Sequence, residues 1–267
     1  MRLSIEVTSM NEIKLLYKPN NEPISIAVLV SGTGTNLVAL YEEQKRLERL
    51  GEKNYGRVDV VFTNVPNCKG AERAKEFGIP VVSLSSKSFF DILQKNPDNN
   101  EAREFYDAAA ITLIEEVCKP DLVVLAGYRR RLGSIFISRY ENRILNIYPG
   151  DITKTYLVRG VEAPIQALRT GENTIKCTVF LAREEERFGP AIIQSNQISL
   201  EGLKEEDIKE IEEKIRKEGE WIIYPFVVHH LIAKGRVGID LEDNIYIDGT
   251  RMPNGGYQFK NSYLATD

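Results

Sequence analysis

The sequence predicts an α/β fold, a doubly wound and mostly parallel sheet with a mixed C-terminal part, and three observations carry that prediction. Short runs rich in Val, Ile and Leu alternate with helical stretches through the first half of the chain. The first run empties into a glycine-containing turn that opens a helix, a connection suited to parallel strands. Further on, two apolar runs flank the acidic segment "REEERFGP", which reads as an exposed loop between strands.

Taken in order, strands are expected at "ISIAVLV" (24–30), "RVDVVFT" (57–63), "IPVVSL" (79–84), "DLVVLAG" (121–127) and "RILNIY" (143–148), because β-branched and apolar residues dominate each. Helices are expected at 36–50, 68–77, 101–118 and 133–140. Beyond them, "TIKCTVFLA" (174–182) and "AIIQSNQISL" (191–200) each read as one strand. Residues 203–217 place Ile208, Ile211 and Ile215 on one stripe, with Glu205/Lys209, Glu210/Lys214 and Glu213/Lys217 at i,i+4 spacing, as in an amphipathic helix packed on the body. "RVGIDLEDNIYIDG" reads as a hairpin around Asp243-Asn244.

At 267 residues and 42% hydrophobic content the chain can bury one full core. No repeat or linker divides it, so an N-terminal extension over 1–22 followed by one domain over 23–267 is expected. Lys and Arg number 35 against 39 Asp and Glu, a net charge of −4, which gives no field for nucleic acid but permits a local anion site. The cysteines, Cys68, Cys118 and Cys177, fit neither a disulfide framework nor a zinc signature. No window holds ~18 uninterrupted apolar residues, and no N-terminal apolar run resembles a signal peptide. A cytoplasmic protein without metal, membrane or nucleic-acid partner is expected, its oligomeric state left open.

The stretch "LVSGTGTNLVAL" follows the first strand and begins a helix, so Gly34, Thr35 and Asn36 offer backbone N–H groups at a positive helix end. A phosphorylated small molecule is the expected guest. Leu37 stands where a dinucleotide fingerprint needs its third glycine, and no Lys-Ser/Thr follows as in a Walker loop. "LAGYRRRL" and "LNIYPG" end the fourth and fifth strands on the same side, the carboxyl edge where open sheets bind ligands. There Asn146 is an amide in a strand otherwise apolar, suited to donate to a developing oxyanion. His229 and His230 lie in the terminal helical run and are read as packing or surface residues, and Trp221 as core.

The segments "VLVSGTGTNLVAL", "VVFTNVPNCKGAERAKEFGIP", "KPDLVVLAGYRRRL", "RILNIYPG", "GPAIIQ" and "IYPFVV" fall in one order over residues 24–240, and together they resemble the glycinamide ribonucleotide formyltransferase family. "RGVEAPIQAL" is similar to the wider hydroxymethyl- and formyltransferase superfamily. The resemblance implies the formyltransferase fold, a phosphoribosyl amine as acceptor in purine biosynthesis, and 10-formyltetrahydrofolate as one-carbon donor. It assigns the acceptor phosphate to Gly34, Thr35 and Asn36 with Lys217 and Glu220. It assigns the donor to Gly127, Arg129, Arg130, Arg131 and Leu132, where Arg130 matches the arginine of the family's apolar-Arg-apolar-Leu stretch and Arg129 and Arg131 stand in its apolar positions. Its catalytic positions fall on Asn146 and Tyr148, on Phe180, and on Arg187.

Only Asn146 keeps the family's residue. Tyr148 replaces a histidine acid, Phe180 a second histidine and Arg187 an aspartate, while "GDITKTYLV" (150–158) replaces a Ser-Leu-Leu-Pro loop. A phenol is a poor proton shuttle near neutrality, so Glu185 or Glu186 is a candidate substitute. Three readings follow: the family's transfer with a replaced proton relay, a superfamily enzyme with another acceptor or donor, or a non-catalytic binder of a phosphorylated ligand.

Overall fold

The computed structural model describes residues 12–154, 162–184 and 188–260. Within them the alternation expected from sequence is realised as β1 (Lys14–Leu15), β2 (Ile24–Val30), α1 (Thr35–Arg49), β3 (Gly56–Thr63), α2 (Lys69–Glu76), β4 (Val81–Ser83), α3 (Ser86–Leu93), α4 (Asn100–Glu115), β5 (Leu122–Leu125), α5 (Ser134–Arg139) and β6 (Ile144–Tyr148). Next come α6 (Glu162–Arg169), β7 (Thr174–Ile175), β8 (Thr178–Leu181), β9 (Ala191–Gln194) and β10 (Ile198–Ser199). The central sheet runs β14-β9-β8-β6-β5-β2-β3-β4, with β14 at Tyr257–Gln258. Its pairs from β6 to β4 are parallel, and β8 is antiparallel to both β6 and β9, so the sheet is mixed at its C-terminal side as expected.

Both faces are covered, which is why β5 is apolar throughout and β2 is apolar but for Ser25. One face packs Leu37 and Leu40 of α1, Ala71 and Ala74 of α2 and the C-terminal helix; the other packs Tyr106, Ala110 and Ile114 of α4 and Phe136 of α5.

From Ile208 to Ile232 the chain is helical without a break: α7 (Ile208–Ile215), a π-wound stretch (Arg216–Glu220), α8 (Trp221–Pro225) and a second π-wound stretch (Phe226–Ile232). Pro225 lacks an N–H and crowds the preceding turn, and the winding loosens on both sides of it. Ile211 and Ile215 are buried as the stripe predicted. A Cβ on Gly219 would stand 2.5 Å from Cys177 Sγ, so glycine is what lets the helix sit this close to the sheet. Five residues on, the Tyr224 hydroxyl is shared between the carbonyls of Leu125 (3.1 Å) and Leu145 (3.0 Å). His229 is fully buried: the Gly56 N–H donates to its Nδ1 (3.0 Å), and Nε2–H donates to the Leu40 carbonyl (3.1 Å).

Several sequence expectations need correction. Residues 174–182 and 191–200 are not two strands but four, because after the Thr178–Gln194 pair the chains leave the central sheet and β7 pairs with β10 instead. Reciprocal bonds between Cys177 and Ser195 mark that corner. The eight-residue helices α3 and α6 were not foreseen, since about two turns give little periodicity to read. Of the three expected ion pairs only Glu213–Lys217 forms; Glu205 pairs with Arg169 and Lys214 with Glu218. Trp221 is half-buried at the rim of a hollow rather than core. The hairpin at Asp243-Asn244 is present as β11 (Val237–Ile239) and β12 (Ile245–Ile247), extended by β13 (Thr250–Arg251). β1 from the N-terminal extension adds to its other edge.

Burial pulls the His229 imidazole down to about 4. A base depressed below its unfolded value favours the fold above about pH 6.5 and costs stability as pH falls toward 4. Asp107, pushed up to about 6 by burial, works in the opposite sense over the same range. The difference between proteins therefore isolates the histidine: the stability of the wild type relative to His229→Asn should fall by about 3 kcal/mol from pH 7 to pH 4. Parallel curves in denaturant titrations at the two pH values would contradict this.

Candidate active site

The loop after β2 is built to leave its N–H groups available. Gly34 has φ +70°, and a Cβ there would lie 2.5 Å from the Gly70 Cα, so only glycine permits both the left-handed turn and the contact with α2. No side chain caps α1 and its first turn holds no acidic residue, which keeps the helix start electropositive. The Gly70 N–H donates to the Gly32 carbonyl (2.9 Å), and Arg73 Nη1 donates to the Thr33 carbonyl (3.0 Å). Asn36 is buried, and its Nδ2 donates to Glu220 Oε2 (3.0 Å).

Thus Glu220 reaches the loop from the C-terminal helix. Burial raises its carboxyl above the ordinary range, against the pull of the Asn36 bond. Lys217 does not join it: the side chain is exposed and bonds Glu213 Oε1 (2.6 Å), because three residues along a loosened helix turn it to the outer face.

Loops following β5 and β6 flank the same edge, since β5 lies between β2 and β6. Asn146 pairs with Leu125 on one side and Phe180 on the other. Its Oδ1 accepts from the Ile147 N–H (2.9 Å), and among the described residues nothing accepts from its Nδ2. Tyr148, two residues on and so on the same face, is buried with its ring 4.6 Å from that of Phe188. Phe180 is 5.2 Å from the same ring, edge-on. The positions around Asn146 therefore hold a packed aromatic cluster. Arg187, Glu185 and Glu186 lie outside the described residues.

The three consecutive arginines part company. Arg130 lies over the rings of Phe90 (4.5 Å) and Tyr106 (4.6 Å), beside Asp107. Arg131 is exposed, and its Nη2 donates to the Glu184 carbonyl (3.0 Å). Arg129 is exposed on the side of the first loop. Gly127 turns the backbone at φ +76°, and Leu132 is buried in the core under α4 and α5.

Residues 24–228 match the family model for formyl transferase. The phosphoribosylglycinamide formyltransferase of Escherichia coli is 33% identical over 234 residues, spanning 88% of this chain and 98% of that one. The chain belongs to this formyl transferase family. The human trifunctional purine biosynthetic protein adenosine-3 is 30% identical over 212 residues, which make up 18% of its length. Among solved structures, the phosphoribosylglycinamide formyltransferase of Coxiella burnetii superposes with a TM-score of 0.71 at 26% identity, covering 90% of this chain and all of that one. Glycinamide ribonucleotide transformylase 1 of Symbiobacterium toebii gives 0.65 at 29% identity, with 90% and 99% covered.

Within this formyl transferase the candidate site residues Gly34, Asn36 and Asn146 lie toward the carboxyl edge of the sheet. A hollow of about 1260 Å³ over the outer face of α1 meets it only at Thr35 and Arg73. Sequence reasoning missed Arg73, Phe188 and the buried relay in which Ser31 Oγ donates to Asn64 Oδ1 (2.5 Å) and Asn64 Nδ2 to Ser86 Oγ (3.2 Å). Ser31 beside the glycine turn and Asn64 at the end of β3 were visible signals for that relay, as polar residues closing apolar strands. No helix of the described residues is long and apolar enough to cross a membrane.

The buried Glu220 charge predicts a measurable effect. Glu220→Gln keeps an acceptor for Asn36 but removes the charge, so at pH 7.5 the variant should melt above the wild type. A carboxyl whose folded pKa is raised favours the fold at acid pH, so the gap should close as pH falls toward 4.5. A variant less stable at both pH values would show that the carboxylate itself holds the loop.

Proposed function

We propose that the chain transfers a formyl unit to a phosphoribosyl amine whose phosphate binds at Gly34, Thr35 and Asn36. The observation that carries this reading is the uncapped start of α1, closed beneath by Gly70 and Glu220, one strand away from the loop that adjoins Asn146. Formyl transfer is the activity class of the family to which the chain belongs.

Attack of an amine on a formyl carbon places negative charge on the carbonyl oxygen and leaves a proton to be removed. Asn146 supports the first requirement, because its Oδ1 is held on the backbone and its Nδ2 remains as donor. Tyr148 does not meet the second. Its ring is packed against Phe188 beside Phe180, and a phenol is a poor proton shuttle near neutrality. Loss of a positioned acid costs typically ~10²–10⁴-fold in rate.

10-Formyltetrahydrofolate is the donor used across the family. On the donor side of this chain, Arg131 ties the β5 loop to the Glu184 carbonyl, across the space that the resemblance gives to the folate. Binding of a reduced folate beside this loop would compete with that exposed hydrogen bond, a cost of about 1 kcal/mol.

Two measurements test the reading. Calorimetry should show glycinamide ribonucleotide binding, with tetrahydrofolate weaker than micromolar. A folate-coupled assay should show formyl transfer at least ~10²-fold below the Escherichia coli relative. Tyr148→His together with Arg187→Asp should raise the rate, whereas each change alone does little, because an imidazole needs its orienting carboxylate. Fast turnover by the wild type would overturn the account of the missing relay, and an absence of ribonucleotide binding would overturn the phosphate loop.

A further inference from the structure

Three adjacent arginines follow the fourth long strand of the sheet, yet only one of them is left without an intramolecular role. Arg130 is spent on Phe90 and Tyr106, and Arg131 on the Glu184 carbonyl. Arg129 is fixed at its backbone instead: its N–H donates to Ser31 Oγ (2.9 Å), the residue that precedes the glycine loop. Ser31 and Asn64 behind it are buried, so the β5 loop is anchored directly to the β2 loop. The Arg129 guanidinium then lies over that loop, Nη2 being 3.8 Å from the point where a Cβ on Gly32 would stand. Among the described residues it meets no carboxylate and no hydrogen-bond acceptor.

The same loop also meets Arg73, whose Nη1 bonds the Thr33 carbonyl and which pairs with no carboxylate among the described residues. Two guanidiniums thus adjoin a helix start that is itself electropositive. Like charges gathered without a counter-charge are unfavourable unless an anion joins them, and a guanidinium fork matches the oxygens of a phosphate.

We propose that Arg129 is a specificity-determining residue on the acceptor side, which closes the rim of the Gly32–Asn36 loop together with Arg73 around a phosphomonoester dianion. This rests on the phosphate-loop reading above, and it moves Arg129 from the donor side, where the resemblance puts it, to the acceptor side. The side chain is exposed and bonds nothing internally, so its replacement leaves the fold intact.

The test is calorimetry on the full chain with ribose 5-phosphate and, separately, with tetrahydrofolate. Arg129→Met should weaken ribose 5-phosphate at least ~10-fold, flatten the dependence of its affinity on ionic strength, and leave the tetrahydrofolate signal as in the wild type. Arg129→Lys should recover part of the loss, since it restores charge without the planar fork. If the wild type binds ribose 5-phosphate and Arg129→Met binds it equally well, the proposal is wrong while the loop stands. A change confined to tetrahydrofolate would return Arg129 to the donor side. If the wild type binds no ribose 5-phosphate, both readings fall together.

Discussion

The seating of the helix from Ile208 to Ile232 on one face of the central sheet is the constraint on which the rest depends. It is held at four points along its length. Gly219 admits Cys177, Glu220 accepts from Asn36, Tyr224 donates to the carbonyls of Leu125 and Leu145, and His229 bridges Gly56 and Leu40. These contacts reach α1 and strands β3, β5 and β6, so the helix fixes the strand ends that carry the site relative to one another. Buried polar groups of this kind stabilise only when each finds its partner, and here their partners lie on separate elements of the sheet. The loosened turns around Pro225 are part of that arrangement, because they let residues on both sides of the proline face the sheet.

The site itself combines a retained and a rebuilt part. The anion loop keeps what backbone geometry requires: a left-handed glycine, a helix start without a side-chain cap, and a polar partner beneath. Around Asn146 the chain instead places aromatic rings, Tyr148 and Phe180 both packing against Phe188. The Phe180 ring meets Phe188 edge-on and the Tyr148 ring meets it at a tilt, so a polar side chain in place of Phe180 would be buried against rings. An amide donor survives in the cluster because Asn146 satisfies its own oxygen on the adjacent backbone N–H.

The arginines show how neighbours in sequence can serve different ends. Within five residues of the turn at Gly127, one side chain lies over the acceptor loop, one enters an aromatic slot and one ties two loops together. Such divergence follows from an irregular backbone, where successive residues need not alternate between two faces. Their charge is visible in the sequence; their partners are not.

By itself, the sequence determined the alternating core strands, the glycine loop at the start of a helix, the amide at the end of the fifth expected strand and the apolar stripe of α7. Each is a local pattern with a local cause: pleat periodicity, left-handed backbone or helical spacing. Tertiary structure alone decided that Lys217 turns outward while Glu220 turns in, that 174–182 and 191–200 divide between two sheets, and that Trp221 stands at a rim. It also decided that Arg129 crosses to the first loop. These outcomes hang on contacts between residues far apart in the chain, such as Cys177 with Gly219, Asn36 with Glu220 and Ser31 with the backbone of Arg129. No periodicity encodes them, because which pairs meet is set by how the helices and loops close over the sheet.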